Sequence, residues 1–240
     1  MKSHDYEKYA GDYAKLDLTG TFYLAFRDVP ELLCEYARGS KALDYGCGAG
    51  RSSRFLQTHG FQVVGVDISR AMLNEARKLD PEGEYYQTRS AELPFSDSSF
   101  DIILLSFVIV EVASKDEIVA ILLEAKRVLN EEGIIVLITS SDDSSEGEWV
   151  SFLRERPSGG TSSLERNQIV VRIRNTPIVF HDYVWSESEH REVFRRAGLQ
   201  LLEAHKPLGR SDDPYKWRDE TYSTPVVVYI LGKSSRNSIT

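Results

Sequence analysis

The chain has 240 residues, 41% hydrophobic and 28% charged, which suits one well-filled α/β domain with a small appendage. Its formal net charge of −8 argues against a polyanion partner, because nucleic-acid binders present a basic face. The Tyr- and charge-rich N-terminus has no apolar signal core and no window approaches a membrane span. Two cysteines, Cys34 and Cys47, make no disulfide framework, so a reducing cytoplasm is expected.

In chain order, Tyr6, Tyr9 and Tyr13 fall at helical spacings on one stripe. Pro30 to Arg38 reads as a helix, with proline in its first turn and Gly39 just past its end. Leu43 lies on a first strand, which runs into Asp44-Tyr45-Gly46-Cys47-Gly48-Ala49-Gly50 and then a helix from Arg51 to His59. Three glycines in five positions suit a strand-to-helix turn where a ligand approaches the backbone. The spacing is one residue tighter than the dinucleotide fingerprint. Its acid, Asp44, is a poor neighbour for pyrophosphate and a good one for an ammonium group. A tight turn chosen for packing is the other reading of this loop.

Gln62 to Asp67 is a short apolar strand, and Ser69 caps a helix that reaches about Leu79. Glu84 to Thr88 and the near-continuous apolar run Phe100 to Ser106 are the third and fourth strands. Ser114-Lys115-Asp116-Glu117 has capping-box spacing and opens a helix that Gly133 should end; Ile134 to Thr139 is a fifth strand. Alternating strands and helices imply a parallel, doubly wound sheet. The pattern then breaks. Ser140 to Glu148 and Pro157 to Ser163 are polar and turn-rich, and two β-like runs between Gln168 and Tyr183 flank Asn175-Thr176-Pro177. Ser186-Glu187-Ser188-Glu189 is a second capping box, on a helix ending at Gly198, and Leu199 to Ala204 and Val226 to Leu231 read as the last strands. Arg154, Arg156, Arg166, Arg172 and Arg174 cluster in sequence and read as a solvated loop and strand face.

The glycine loop resembles the D-x-G-C-G-x-G motif of class I S-adenosylmethionine (SAM)-dependent methyltransferases, of the type 11-like kind. Asp67-Ile68-Ser69-Arg70-Ala71-Met72-Leu73 resembles the family's D-x-S-x-x-M-L pattern, and Ser90 to Asp101 its Leu-Pro-Phe segment. Ala10-Gly11-Asp12-Tyr13 resembles an A-x-x-Y element of a lid that closes over SAM. The resemblance implies a seven-stranded Rossmann-like sheet with an antiparallel last strand and an irregular β-rich insertion after strand 5. It implies one domain, with an N-terminal lid (1–29), a SAM-binding core (30–140), a substrate-side insertion (141–185), the C-terminal part of the core (186–233) and a disordered tail (234–240). SAM would be the cofactor and S-adenosylhomocysteine the product.

The implied cofactor contacts are Asp44, Gly46, Cys47 and Gly48 for the methionine moiety, with Tyr13 and, more weakly, Arg27 for its carboxylate. Asp67 suits the vicinal ribose hydroxyls, although NAD sites share its spacing and a helix-capping acid is also compatible. Ile68 would pack on adenine, and Met72 beside it or in the core. The acid that usually faces the adenine amino group falls on Arg89, which leaves the Ala91 backbone or the Glu92 side chain for that role. Ser106 and Phe107 would flank the reacting methyl.

Many relatives carry His at the turn after that strand, where this chain reads Val108-Ile109-Val110-Glu111. Glu111 is therefore a candidate base or a surface acid. His181-Asp182-Tyr183-Val184-Trp185, Trp149, His205 and Trp217 resemble elements of a small-molecule subset near the toxoflavin-pathway N-methyltransferase. On that likeness His181 is a second candidate base, and Tyr9, Trp149, Tyr183 and Trp185 are candidate acceptor walls. The expected reaction is in-line methyl transfer to nitrogen or oxygen, rather than carbon, of a small molecule of secondary metabolism. The acceptor is the expected partner, with no nucleic acid, membrane or metal, and with the protein a monomer or homodimer. A SAM-binding regulatory protein without turnover is the competing reading.

Overall fold

The computed structural model describes residues 4–143, 147–157 and 167–234, with the side chains of His4 and Asp5 left aside. Three helices, α1 (His4–Tyr13), α2 (Thr21–Arg27) and α3 (Val29–Tyr36), precede the alternating core. The core runs β1 (Lys41–Tyr45), α4 (Arg51–Thr58), β2 (Gln62–Asp67), α5 (Arg70–Leu79), β3 (Glu84–Gln87), β4 (Phe100–Ser106), a 3-10 turn (Ile109–Glu111), α6 (Lys115–Val128) and β5 (Leu129–Ser140). After an insertion come α7 (Glu187–Arg196), β10 (Leu199–His205), a second 3-10 turn (Asp219–Thr221) and β11 (Val226–Lys233).

The seven-stranded sheet has the order β10-β11-β5-β4-β1-β2-β3. Strands β1 to β5 pair in parallel, and β11 enters antiparallel between β5 and β10. The expected antiparallel last strand is therefore present and interior to the sheet. The apolar run on β4 has a direct cause. Ile103 and Leu105 pack with α6 and α7 residues such as Ile121 and Phe194, while Ile102 and Leu104 pack with Phe26, Val29 and Leu33 on the other face. A strand covered on both faces has no position for an alternating polar residue.

Two local expectations differ from the structure. Ser186 forms a full capping box with Glu189, but Ser114 makes no side-chain cap bond to α6 despite the same spacing. Gly133 does not end α6, because the helix stops at Val128 and β5 starts at once on buried Leu129. The glycine serves close approach instead: a Cβ there would lie 2.7 Å from Leu129 Cδ1 and 2.8 Å from the Asp101 carbonyl oxygen.

The insertion is a second sheet, β6 (Gly147–Glu148), β7 (Phe152–Glu155), β8 (Gln168–Ile173) and β9 (Val179–Tyr183), antiparallel throughout. The sequence reading found the β8–β9 pair and missed β6 and β7. Phe152, Ile169, Val171 and Ile173 make one buried face with Trp149, Ile178 and Val184, and Tyr9, Tyr13 and Phe22 pack against it. Arg154 lies on this sheet at 4% exposure, which corrects its reading as part of a solvated arginine face. Arg166, residues 158–163 and the tail at 235–240 lie outside the described residues. Among the described residues no helix is long and apolar enough to cross a membrane.

Candidate active site

The floor of the site is the loop after β1. Gly46 has φ +83°, and a Cβ there would lie 2.4 Å from Val108 Cγ2, so no side chain fits. The Gly46 and Cys47 amides both donate to the Val66 carbonyl (2.8 and 2.9 Å), which fastens the loop to the end of β2. Gly48, at φ +53°, is closely approached by Met72 and Tyr13, whose nearest atoms would be 3.2 and 3.4 Å from a Cβ. Beneath the loop Asp44 is fully buried. Its Oδ2 accepts from the Ser52 and Ser53 hydroxyls (2.7 and 2.6 Å), whereas Oδ1 has no hydrogen-bond partner. Burial pushes its carboxyl up to about 6 against those two hydroxyls. Asp67 ends β2 and accepts from the Gly48 amide at Oδ2 and the Ser69 amide at Oδ1, each 2.8 Å. Burial raises this carboxyl as well, opposed by the backbone donors.

A cavity of about 340 Å³ opens above this floor. One wall is the end of β4 and the following turn, with Ser106, Phe107, Val108, Val110 and Glu111. Phe107 holds φ +58°, unusual for a bulky residue, and its ring meets Phe22 edge-on at 6.3 Å. Helix α6 adds Glu117 and Ile121. The roof is the insertion sheet, with Phe152, Arg154, Val171, Ile173, Phe180 and Asp182. Tyr6 and Tyr13 close one side, packing on Phe180 with centroids 5.8 and 6.2 Å away. The Arg51 guanidinium lies over the Phe22 and Tyr13 rings at 4.7 and 5.7 Å.

Tyr13, Gly46, Gly48, Asp67, Ile68, Met72, Ser106, Phe107 and Glu111 all line this cavity. Several other candidates do not. Arg27 is turned away and saturated, bonding both Asp28 oxygens (2.7 and 2.8 Å), Asp213 Oδ2 (2.9 Å) and the Leu208 carbonyl (3.0 Å). Cys47 packs under the loop with Leu73, Ala76 and Tyr85, and burial raises its thiol. The Ala91 amide is taken by the Tyr45 hydroxyl (3.0 Å), and the exposed Glu92 carboxylate sits 3.8 Å from Arg89; Thr88 and Ser90 line the cavity in their place.

The proposed acceptor walls are mostly packing. Trp149 is fully buried in the insertion core, and Trp185 is buried beside Tyr183, whose ring stacks on it at 6.4 Å. Tyr9 packs against the outer part of the insertion core. His181 is exposed on β9, and His205 is held by Asp28 at 2.8 Å.

Sequence reasoning missed Arg51, Glu117, Phe180 and Asp182. For the roof a signal existed. Ile169 pairs with Asp182 and Val171 with Phe180, so partners directly opposite share a face. Reading the apolar positions of β8 across the Asn175-Thr176-Pro177 turn puts Asp182 inside and His181 outside.

Residues 43–137 match a family described as a methyltransferase domain. That segment spans β1 to β5 and holds the glycine loop, Asp67 and the β4 turn. The match identifies that segment as a methyltransferase domain. An uncharacterized methyltransferase of Synechocystis is 31% identical over 113 residues, which cover 47% of this chain and 53% of the relative. The chain thus matches about half the length of that curated relative. Among solved structures, a Pyrococcus horikoshii protein superposes with TM-score 0.66 at 20% identity, covering 95% of this chain and 99% of the other. The Burkholderia thailandensis 1,6-didemethyltoxoflavin-N1-methyltransferase, solved with 1,6-didemethyltoxoflavin and S-adenosylhomocysteine, gives 0.62 at 14% identity, covering 97% and 87%. Identities this low carry the fold alone.

Domains of this class use SAM, and the methyltransferase loop of this chain fits it. Asp44 Oδ1 lies beneath the loop and not in the cavity wall; it is a buried acceptor lacking a donor, which an ammonium group would supply directly or through water. Each Asp67 oxygen keeps a lone pair free beside a cavity-facing backbone, as a vicinal diol requires.

Proposed function

We propose that this protein transfers a methyl group from SAM to nitrogen or oxygen of a small, largely apolar acceptor. The observation that carries this is one continuous cavity, which runs from Gly46, Gly48 and Asp67 to the apolar roof of Phe152, Val171, Ile173 and Phe180. The methyltransferase floor and a separate acceptor enclosure therefore share one space. The residues that would hold the cofactor are Asp44 at the ammonium group, Asp67 at the ribose, Ile68 and Met72 beside the adenine, and Tyr13 over the methionine moiety.

Bound SAM would supply an already reactive methyl sulfonium, so the task left to the chain is alignment and exclusion of water. Fixing two reactants in line can contribute roughly 7–11 kcal/mol. Phe107, locked by its backbone and by Phe22, gives a rigid wall beside the floor. The Tyr6, Tyr13 and Phe180 rings close the side and present π faces that tolerate a nearby cation.

The reading is tested in two steps. Calorimetry with S-adenosylhomocysteine should show binding that Asp67→Ala weakens by roughly 10- to 100-fold, the loss expected for hydrogen bonds to a charged group. Incubation of methyl-tritiated SAM with a small-molecule extract should then move label into an apolar product. Binding without any transfer of label would favour the regulatory reading instead.

A further inference from the structure

We propose that Asp182 is the catalytic residue that takes the proton released by an N–H or O–H methyl acceptor. This inference rests on the methyl-transfer reading above and adds to it a class of acceptor: a flat apolar molecule whose nucleophilic atom carries a hydrogen.

Asp182 sits in the roof at 8% exposure, on the buried face of β9 and within the wall of the cavity. Among the described residues its carboxylate accepts no hydrogen bond, and it is not among the buried polar atoms sealed without a partner, so its oxygens are left to the cavity. The other carboxylates in the wall are differently placed. Asp67 lies at the floor, held by the Gly48 and Ser69 amides at the end of the cavity assigned to the cofactor. Glu117 lies on α6 and Glu111 on the 3-10 turn packed against β9.

The charged and titratable groups facing Asp182 from its neighbours are Arg154 of β7, Tyr13 of α1 and Glu111, with Arg51 and Glu117 farther along the wall. Burial pushes the Asp182 carboxyl up to about 7, and the Arg154 cation opposes this. Arg154 is itself fixed, donating from Nη2 to Ser140 Oγ (3.2 Å) and to the Pro225 carbonyl (3.0 Å). It thus stands as a positioning residue, a fixed cation that keeps part of the Asp182 population ionised. A carboxylate poised near neutrality in the cavity wall is a competent general base.

The atoms balance simply. The acceptor lone pair forms the new bond to the methyl carbon as the carbon–sulfur bond breaks and its electron pair stays on sulfur. The acceptor's N–H or O–H proton passes to an Asp182 oxygen, which later releases it to water.

The experiment uses the full chain complexed with S-adenosylhomocysteine, and indole and 1-methylindole as probes, since the two differ at the N–H. Wild type should bind indole roughly 10-fold more tightly, the value of one hydrogen bond to a charge. The preference should grow as pH rises through about 7, because ionised Asp182 accepts the N–H more strongly than the protonated acid does. Asp182→Asn should lose that pH dependence, and Glu111→Gln should keep it. Arg154→Met should move the transition to higher pH and Arg154→Lys should leave it in place, a readout that does not depend on the Asp182 variant folding. Equal binding of both probes at every pH, a pH dependence that survives Asp182→Asn, or one that disappears with Glu111→Gln would overturn the assignment. Absence of S-adenosylhomocysteine binding in wild type would instead overturn the methyl-transfer reading.

Discussion

Two buried aspartates sixteen positions apart, Asp44 and Asp28, show how a ligand site differs from a structural knot. Asp28 is surrounded by donors: Arg27 at both oxygens, His205 at 2.8 Å, and Arg210 3.5 Å away. Burial pushes the Asp28 carboxyl up, but the Arg27 and His205 hydrogen bonds outweigh it and hold it at about 2. Asp44 is buried at least as deeply, has only two hydroxyl donors on one oxygen, and is pushed up to about 6. The satisfied carboxylate has nothing left to offer a ligand. The unsatisfied one has a lone pair and a reason to acquire a cation.

The sharpest way to break this contrast is Asp44→Asn. The amide oxygen can still accept from Ser52 and Ser53, so the fold should hold while the charge is lost. We expect S-adenosylhomocysteine affinity to fall roughly 10- to 100-fold, as for a lost charge-assisted hydrogen bond. The wild-type affinity should also rise with pH through about 6, because the protonated acid cannot pair with an ammonium group. Calorimetry from acidic to neutral pH reads both. A flat wild-type profile would remove Asp44 from the site.

Arg27→Ala should do the converse. The Arg27 and Asp28 side chains are only 8% and 9% exposed, so truncation strands buried carboxylates and should cost ~3 kcal/mol in denaturant unfolding. S-adenosylhomocysteine affinity should stay within twofold. The pH dependence has a definite sign. The depressed Asp28 carboxyl contributes stability that is full above the ordinary carboxylate range and is lost as pH falls through about 2. Without Arg27 the acid loss should begin at higher pH. A variant of normal stability with weakened cofactor binding would restore Arg27 to the role its sequence position suggested.

How far the sequence could be read follows from the same pair. The floor was legible because its parts are local: Gly46, Gly48 and Asp67 are fixed by short spacings around one strand-to-helix turn, and the Ser69 cap lies within three residues of the Met72 amide it receives. The knot was not legible, since Asp213 and His205 reach the Arg27–Asp28 pair from nearly two hundred residues away. Capping boxes are a partial case. Ser114 and Ser186 have the same spacing, but only Ser186 accepts from its Glu189 amide, and spacing alone does not set the rotamer. The roof was read as the wrong residues on the right segment. Trp149, Tyr183 and Trp185 have acceptor-like chemistry and went to packing, because the face of each insertion strand is set by pairing across a turn.

That pairing yields the smallest expected effect and the most direct test of the roof. His181 lies opposite Val170 in the β8–β9 ladder and points to the same outer side, while its neighbours Phe180 and Asp182 face the cavity. His181→Ala should therefore change unfolding stability by no more than about 0.5 kcal/mol, as for a surface substitution. It should leave S-adenosylhomocysteine affinity and the pH dependence of methyl transfer unaltered. A strand has only two faces, so a slip of one residue would exchange His181 with Asp182 and turn every β9 side chain over. A large loss of transfer in the alanine variant, with cofactor affinity intact, would mean that the histidine occupies the roof and that β9 is out of register by one.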